Sequence, residues 1–544
     1  MGTSKDGTVQ LAAGQSTTIN DVPTGDCKIT EDTLPNAPAG WTFGAPSYDP
    51  ANQLVAVTKN ATAEGKVTNT ITRDTAELKL LKKVTGDNGD KKPGDWDLTA
   101  TAAAPDNGKN FTVAGDADTF QSVYASPTVY TLTESGPGNY TPSDWKCENG
   151  QGAPVTVTDG NKVTVANGAK VTCEITNDRD TAELKLVKKV TGDNNAKGPN
   201  DWTLAADATA PLNDKDFSNL GGSGVFETVY SGTDYTLSET GPGDYTASDW
   251  KCENGQGDPV TVTNGEVKVG KSAKVTCEIT NDRNTAELKL VKLVEGGSSV
   301  ANDWTLTAKA DAPLNNKNIS TPGGSGVFET VYSGIDYTLA ETGPGNYTAD
   351  AWQCVSDRDD KAATQMVQEG DVVNLAKGEK VTCTIVNVRD TAELKLVKQV
   401  EGKNNPNDWT LTAKAGAPDD GLNISTPGGS GQFEAVYAGT QYTLAESGPG
   451  GYSPSDWVCL TSDEQPVPEA VDGQLNTGDK ITLKKGQKVT CTIINTRDLG
   501  SLTITKEFNP QQSGYTGTFD INYTCVDGAD KVKEGTVKLA AGAS

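Results

Sequence analysis

Three polar residue types recur at positions where a strand would turn them inward. The stretch Ala-Glu-Leu-Lys-Leu-Leu-Lys-Lys-Val at 76–84 returns, little changed, at 182–190, 286–294 and 392–400. In a strand, residues of one parity share a face, so Leu78, Leu80, Lys82 and Val84 point the same way and place a lysine among core residues. By the same alternation, Tyr235, Leu237 and Glu239 share a face, as do Val275, Cys277, Ile279 and Asn281. The resulting sets are Lys82/Glu134/Asn177, Lys188/Glu239/Asn281, Lys292/Glu341/Asn387 and Lys398/Glu446/Asn495. Glu31 and Asn69 near one end, and Lys506 in a diverged fifth copy at 501–508, are partial versions of the set.

Such a set suits one reaction. Burial favours uncharged forms, a free amine beside a protonated carboxylic acid. The lysine amine attacks the asparagine carboxamide while the glutamate shuttles protons and polarises the carbonyl. Ammonia leaves, and a Lys-to-Asn isopeptide bond remains. Proximity makes the step feasible without an enzyme. The same residues could instead hold a buried Lys/Glu ion pair with the asparagine as a hydrogen-bond partner; the recurrence of an amide at the third corner favours the covalent reading. Beyond this single-turnover set no nucleophile and base recur in one arrangement, so the sequence points away from an enzyme and implies no cofactor.

The elements that would position these residues are short strands. Lysines 82, 188, 292, 398 and 506 recur every 104–108 residues, which sets four full domains and excludes a single core for 544 residues. Only 34% of residues are hydrophobic, glycine is abundant, and no helical periodicity is sustained, so the expected fold is all-β, a tandem array of small antiparallel sandwiches forming an elongated rod. The expected divisions are 1–73, the C-terminal part of a truncated sandwich; full repeats at 74–179, 180–283, 284–389 and 390–497; and 498–544, the N-terminal part of another. Residues 5–16 nearly repeat residues 533–544, so the chain reads as a window cut from a longer array. Junctions such as Asp282-Arg283-Asn284-Thr285 are too short to bend freely.

The cysteines fall in pairs inside the repeats, Cys147/Cys173, Cys252/Cys277, Cys354/Cys383 and Cys459/Cys491, which reads as a disulfide framework and an extracellular setting. Cys27 and Cys525 are each expected to lack a same-domain partner. The net charge of −26 is spread along the chain, with no basic stripe, so nucleic acid is excluded as a partner. There is no histidine, which removes imidazole-based catalysis and histidine metal ligands. No apolar run is long enough to insert into a membrane. Two acidic stretches, Asp87-Asn88-Gly89-Asp90 and Asp193-Asn194-Asn195, lack EF-hand spacing and read as solvated loops rather than metal sites. Trp145, Trp250, Trp352 and Trp457, each two residues before a cysteine, are expected to pack on the disulfides.

These residues carry a resemblance. Tyr130-Thr131-Leu132-Thr133-Glu134 with Pro137 and Tyr140, Tyr442-Thr443-Leu444-Ala445-Glu446 with Pro449 and Tyr452, and the closing Ile175-Thr176-Asn177 and Ile493-Ile494-Asn495 resemble the motifs of prealbumin-like repeats of collagen-adhesin B regions and Gram-positive pilins. The resemblance covers all four repeats and, more weakly, both ends. It implies a seven-stranded sandwich, cell-surface or cell-wall display and autocatalytic isopeptides. The chain departs from the pattern in its cysteine pairs and in having Cys27 where the motif tyrosine stands elsewhere. The expected function is a structural stalk projecting a head, outside this window, toward a host surface protein or glycan. The alternative is an adhesive module in which the repeats themselves bind such a ligand.

Overall fold

The computed structural model describes residues 6–357, 364–366, 371–467, 470–471, 474–475, 479–507, 516–527 and 530–540. Lys5, Phe508 and residues 541–544, used in the sequence comparisons above, lie outside this set. The chain divides into two compact units, Met1–Asn284 and Thr285–Ser544.

Within the first unit, the repeat that opens with Thr75–Thr85 shows how the pattern folds. One sheet runs, in order, Gln121–Tyr124, Thr75–Thr85, Lys170–Arg179, Lys146–Asn149 and Pro154–Val155, with Tyr140–Pro142 also paired to Lys170–Arg179. The facing sheet runs Val157–Thr158, Lys162–Thr164, Val129–Ser135, Asp97–Thr101 and Phe111–Ala114. Seven of these strands have four residues or more, as the resemblance implies; the others are two- or three-residue extensions at the margins. The second, third and fourth repeats repeat the plan.

One pairing departs from the antiparallel expectation. The opening strand Thr75–Thr85 and the closing strand Lys170–Arg179 are parallel neighbours, with Lys82 opposite Ile175 and Val84 opposite Asn177. Parallel neighbours need a long crossover between them, and here the rest of the sandwich provides it. The chain therefore enters a repeat at one end of this strand pair and leaves at the other.

Each repeat has its own core. In the first, Leu78, Leu80, Leu98, Ala100, Tyr130, Leu132, Val171 and Ile175 pack between the sheets with little or no exposure. The inward parity of the opening strand holds as expected, and Lys82, Lys188, Lys292 and Lys398 are buried with it. Trp145 joins the cluster that contains Cys147 and Cys173, and Trp352 and Trp457 stand likewise beside their cysteines; Trp250 packs on its cluster from a half-buried position.

The ends behave differently. Residues 25–73 form three short two-stranded pairings, Gly25–Lys28 with Leu54–Val57, Trp41–Phe43 with Ile71–Arg73, and Ser47–Asp49 with Lys66–Thr68. At the other end, Thr518–Asp527 pairs with Asp530–Ala540. The fifth opening strand expected over 501–508 is not formed among the described residues: 501–507 adopt no strand and Leu502 is 61% exposed. Alternation alone does not bury a strand. In the full repeats the same pattern is held between a parallel closing strand and an antiparallel edge strand, and 501–507 pair with neither.

Candidate functional site

Each lysine is held by its backbone as much as by its side chain. The Lys82 N–H donates to the Gly115 carbonyl (2.9 Å), and the Gly115 N–H donates to the Trp96 carbonyl (2.8 Å). A Cβ on Gly115 would stand 2.5 Å from the Lys82 Cβ and would collide with the Pro93 carbonyl, so this position requires glycine. Gly221, Gly323 and Gly428 meet Lys188, Lys292 and Lys398 in the same way.

The lysine projects from the opening strand toward the facing sheet, where Glu134 pairs with Leu98 across the ladder. Lys82 and Lys188 donate to Glu134 and Glu239 in short ion pairs. Lys398 Nζ stands 2.5 Å from Glu446 Oε2, and Lys292 Nζ 2.7 Å from Glu341 Oε2, the latter poorly angled for a hydrogen bond. The four lysine side chains are 0% exposed and their glutamates 14–17%, so the pairs are nearly dry on the amine side.

The asparagine completes the corner from the adjacent closing strand, displaced two residues from the lysine along the parallel register. Asn387 Nδ2 donates to Glu341 Oε1 (2.8 Å), and Asn495 Nδ2 donates to Glu446 Oε1 (2.8 Å). The partial set at the N-terminal end has the same contact, Asn69 Nδ2 to Glu31 Oε1 at 2.9 Å. Oδ1 of Asn177, Asn281, Asn387 and Asn495 is buried without a hydrogen-bond partner. A buried carbonyl oxygen left unsatisfied in all four repeats is costly as static structure and suits an amide whose oxygen must receive a proton during reaction.

Burial depresses all four lysines below their ordinary pKa, opposed by the charge of the partner glutamate and, at Lys82, Lys188 and Lys398, by its hydrogen bond. The direction favours a neutral amine. A tryptophan lies beside each: the Lys82, Lys188 and Lys292 amines stand 5.1 Å from the Trp96, Trp202 and Trp304 ring centres, and Lys398 stands 5.2 Å from Trp409. These rings seal the amines from water while their faces favour the cation.

The tryptophans were not assigned to the site from sequence. Their signal was a single Trp shortly after each opening strand, just before the next strand begins. Each makes an edge-on contact with the tyrosine of the Gly-Pro turn, Trp96 with Tyr140 at 5.1 Å and Trp202 with Tyr245 at 5.0 Å. A Cβ on Gly136 or Gly241 would strike the indole, which explains the glycine soon after the glutamate.

The acidic loops are not simply solvated. Asp87 is buried; its Oδ2 accepts from the Lys91 N–H (2.9 Å) and the Tyr140 hydroxyl (2.9 Å). Asp193 does the same with Lys197 and Tyr245. These carboxylates organise a turn and anchor a tyrosine. No local pattern signals this contact, because the tyrosine lies some fifty residues away.

All four expected disulfides are present. Cys147 and Cys173 face each other directly across antiparallel strands, with Cα atoms 4.0 Å apart, and Cys252–Cys277, Cys354–Cys383 and Cys459–Cys491 repeat the geometry. Cys27 and Cys525 are free thiols. Among the described residues no helix is long and apolar enough to cross a membrane.

A family described as "Prealbumin-like fold domain" matches residues 73–175, 179–279, 283–385 and 389–493. A second, "Domain of unknown function (DUF5979)", matches residues 2–72. No curated protein matches the chain. Among solved structures, the Bacillus anthracis TIE protein is 12% identical, with 86% of this chain and 76% of that chain covered and a TM-score of 0.37. The major pilin protein T-13 from Streptococcus pyogenes is 17% identical over 39% of this chain and 98% of its own, with a TM-score of 0.23. The pilus adhesin SpaC from Lactobacillus rhamnosus GG is 13% identical over 76% of this chain and 57% of its own, with a TM-score of 0.24.

Proposed function

Because the chain belongs to the prealbumin-like fold domain family through four consecutive segments, we propose that it is a structural stalk of a cell-surface adhesin or pilus-like protein. In this reading the repeats, bounded near 74–179, 180–283, 284–389 and 390–497, are stiffened by Lys-to-Asn isopeptide bonds and intradomain disulfides. The observation that carries it is the fourfold recurrence of a dry lysine, a glutamate from the facing sheet and an asparagine with a buried, unpartnered oxygen.

The reaction needs nothing from outside. Neutral Lys188 Nζ attacks Asn281 Cγ as Glu239, in its acid form, gives a proton to Oδ1. Glu239 relays the amine proton to the leaving nitrogen, the tetrahedral adduct collapses with the C–N bond to Nδ2 breaking, and the proton on Oδ1 returns to Glu239. One amide forms, one ammonia departs, and Glu239 ends as it began. Glu134, Glu341 and Glu446 have the same role for Lys82/Asn177, Lys292/Asn387 and Lys398/Asn495.

The parallel pairing gives the bond its mechanical meaning. Tension enters through the opening strand and leaves through the closing strand, so a Lys188–Asn281 bond carries it from one to the other. Residues between them become a loop outside the path of force. Single-molecule pulling on the full chain tests this: intact repeats should give no full-repeat extension. Full-length unfolding steps from every repeat would reject the stalk and favour the adhesive module, for which the repeats should bind host protein or glycan in a surface assay.

A further inference from the structure

At each of three boundaries inside the compact units, an arginine followed by an aspartate ends one domain and reaches into the next. Arg179 is 8% exposed. Its Nη1 donates to the Asn139 carbonyl of its own repeat (2.8 Å), and its Nη2 to the Thr233 hydroxyl of the next (2.9 Å). The guanidinium sits between two rings, 5.3 Å from Tyr140 behind it and 5.5 Å from Tyr230 ahead. The Asp180 carbonyl accepts from the Ser231 N–H (3.0 Å), and the Asp180 side chain pairs with Lys271 (3.1 Å).

In the second unit the arrangement recurs with one added acceptor, a backbone carbonyl of the next repeat. Arg389 donates to the Asn346 and Ala438 carbonyls (both 2.8 Å) and to the Thr440 hydroxyl (2.9 Å), between Tyr347 at 5.2 Å and Tyr437 at 5.4 Å. The Asp390 carbonyl accepts from the Ala438 N–H (3.0 Å), and Lys485 pairs with Asp390 (3.1 Å). Arg73, at the end of the strand Ile71–Arg73 that pairs with Trp41–Phe43, does the same, between Trp41 and Tyr124, with Thr128 and Asp106 as acceptors and the Ala125 N–H bonded to the Asp74 carbonyl. The receiving surface is therefore constant: a tyrosine, the N–H of the residue after it, and a threonine hydroxyl.

We propose that this surface is a connector whose partner is the arginine-aspartate end of the preceding domain, and that Arg73, Arg179 and Arg389 fix the orientation of the repeat they enter. The guanidinium suits the task because its planar fork can bond to both domains at once while stacked between rings. Lysine has three donors on one nitrogen but no planar fork, so it cannot span both contacts while stacked between the rings. The short junction alone limits reach but leaves rotation about its bonds free; the seated arginine removes that freedom. Because the receiving surface accepts an arginine both from a full sandwich and from the short two-stranded pairings before Arg73, it is indifferent to the rest of the preceding domain. The proposal does not depend on the isopeptide bond.

The test is a distance distribution in the full chain, by electron–electron double resonance between spin labels on noncanonical residues at the exposed Thr112 and Thr263 positions. Noncanonical attachment avoids the two free thiols. The unaltered chain should give one narrow distance. Arg179→Ala and Arg179→Lys should each broaden it at least two-fold, as should Thr233→Val, which removes the acceptor from the other side and keeps the arginine. Arg389→Ala should leave this pair unchanged. Distributions in Arg179→Ala and Thr233→Val as narrow as that of the unaltered chain, or the same broadening in Arg389→Ala, would overturn the proposal.

Discussion

The closing strand Lys274–Arg283 carries a disulfide at one place and, four residues on, the asparagine of the proposed isopeptide bond. At Cys277 a disulfide ties it to its antiparallel neighbour Lys251–Asn254, already joined to it by ladder hydrogen bonds. At Asn281 the strand meets Lys188 of the opening strand and Glu239 of the facing sheet. The first link closes a 25-residue loop to one side of the path of force. The second, the Lys188–Asn281 bond proposed above, would join the strand through which tension enters to the strand through which it leaves. Position, more than bond strength, separates a link that raises stability from one that bears load.

The largest way to break the comparison is to remove the in-line link. Lys188→Ala should release the second repeat alone in a pulling experiment. If the Cys252–Cys277 loop is also opened by reduction, the step should be on the order of 300 Å of contour, from the extended length per residue. Absence of any new step would place the load elsewhere.

Removing the lateral link should do less. Cys277→Ser should cost about 3 kcal/mol in the chain-entropy description, read as a lower denaturation midpoint, and should leave the pulling trace of the second repeat without a full extension. The cost should shrink when Lys188 and Asn281 are linked, because the smaller loop is nested inside the larger and the unfolded chain is already confined. A full-repeat extension from Cys277→Ser alone would reverse the assignment of the two links.

The smallest effect is in pH. In Asn281→Ala the lysine and glutamate remain but cannot link. Burial holds Lys188 below 10.5, so between that depressed value and 10.5 the unfolded chain binds a proton that the folded repeat does not. Stability of this variant should therefore rise with pH across that window, seen as a rising rupture force for its released step. Below the depressed value both states are protonated and the full cost of burying the cation remains. A rupture force that falls over the window would contradict the burial.

The contrast with 501–507 shows what was legible. Lysine, glutamate and asparagine could be placed on inward faces because two-residue alternation is local and the repeats supplied four independent readings. Lys506 satisfies the same alternation, yet it is half-buried over Phe519 at 5.0 Å, outside any strand. Burial needed the parallel partner and the edge strand, which alternation does not encode. Trp96, Gly115 and Asp87 were missed as parts of the site for a related reason. Each acts through a contact made by folding, with Lys82 or Tyr140, and none stands in a periodic pattern. The disulfides were readable because one pair per repeat leaves few pairings; their direct cross-strand register came only from the fold.

Intact mass of the reduced full chain tests the central claim most directly. Four isopeptides should lower it by about 68 Da, about 17 Da for each ammonia lost in the condensation, and Glu239→Gln should restore about 17 Da by leaving Lys188 and Asn281 unlinked, once the substitution's own mass is allowed for. A reduced chain at its full sequence mass would contradict covalent linkage and leave the four sets as buried ion pairs.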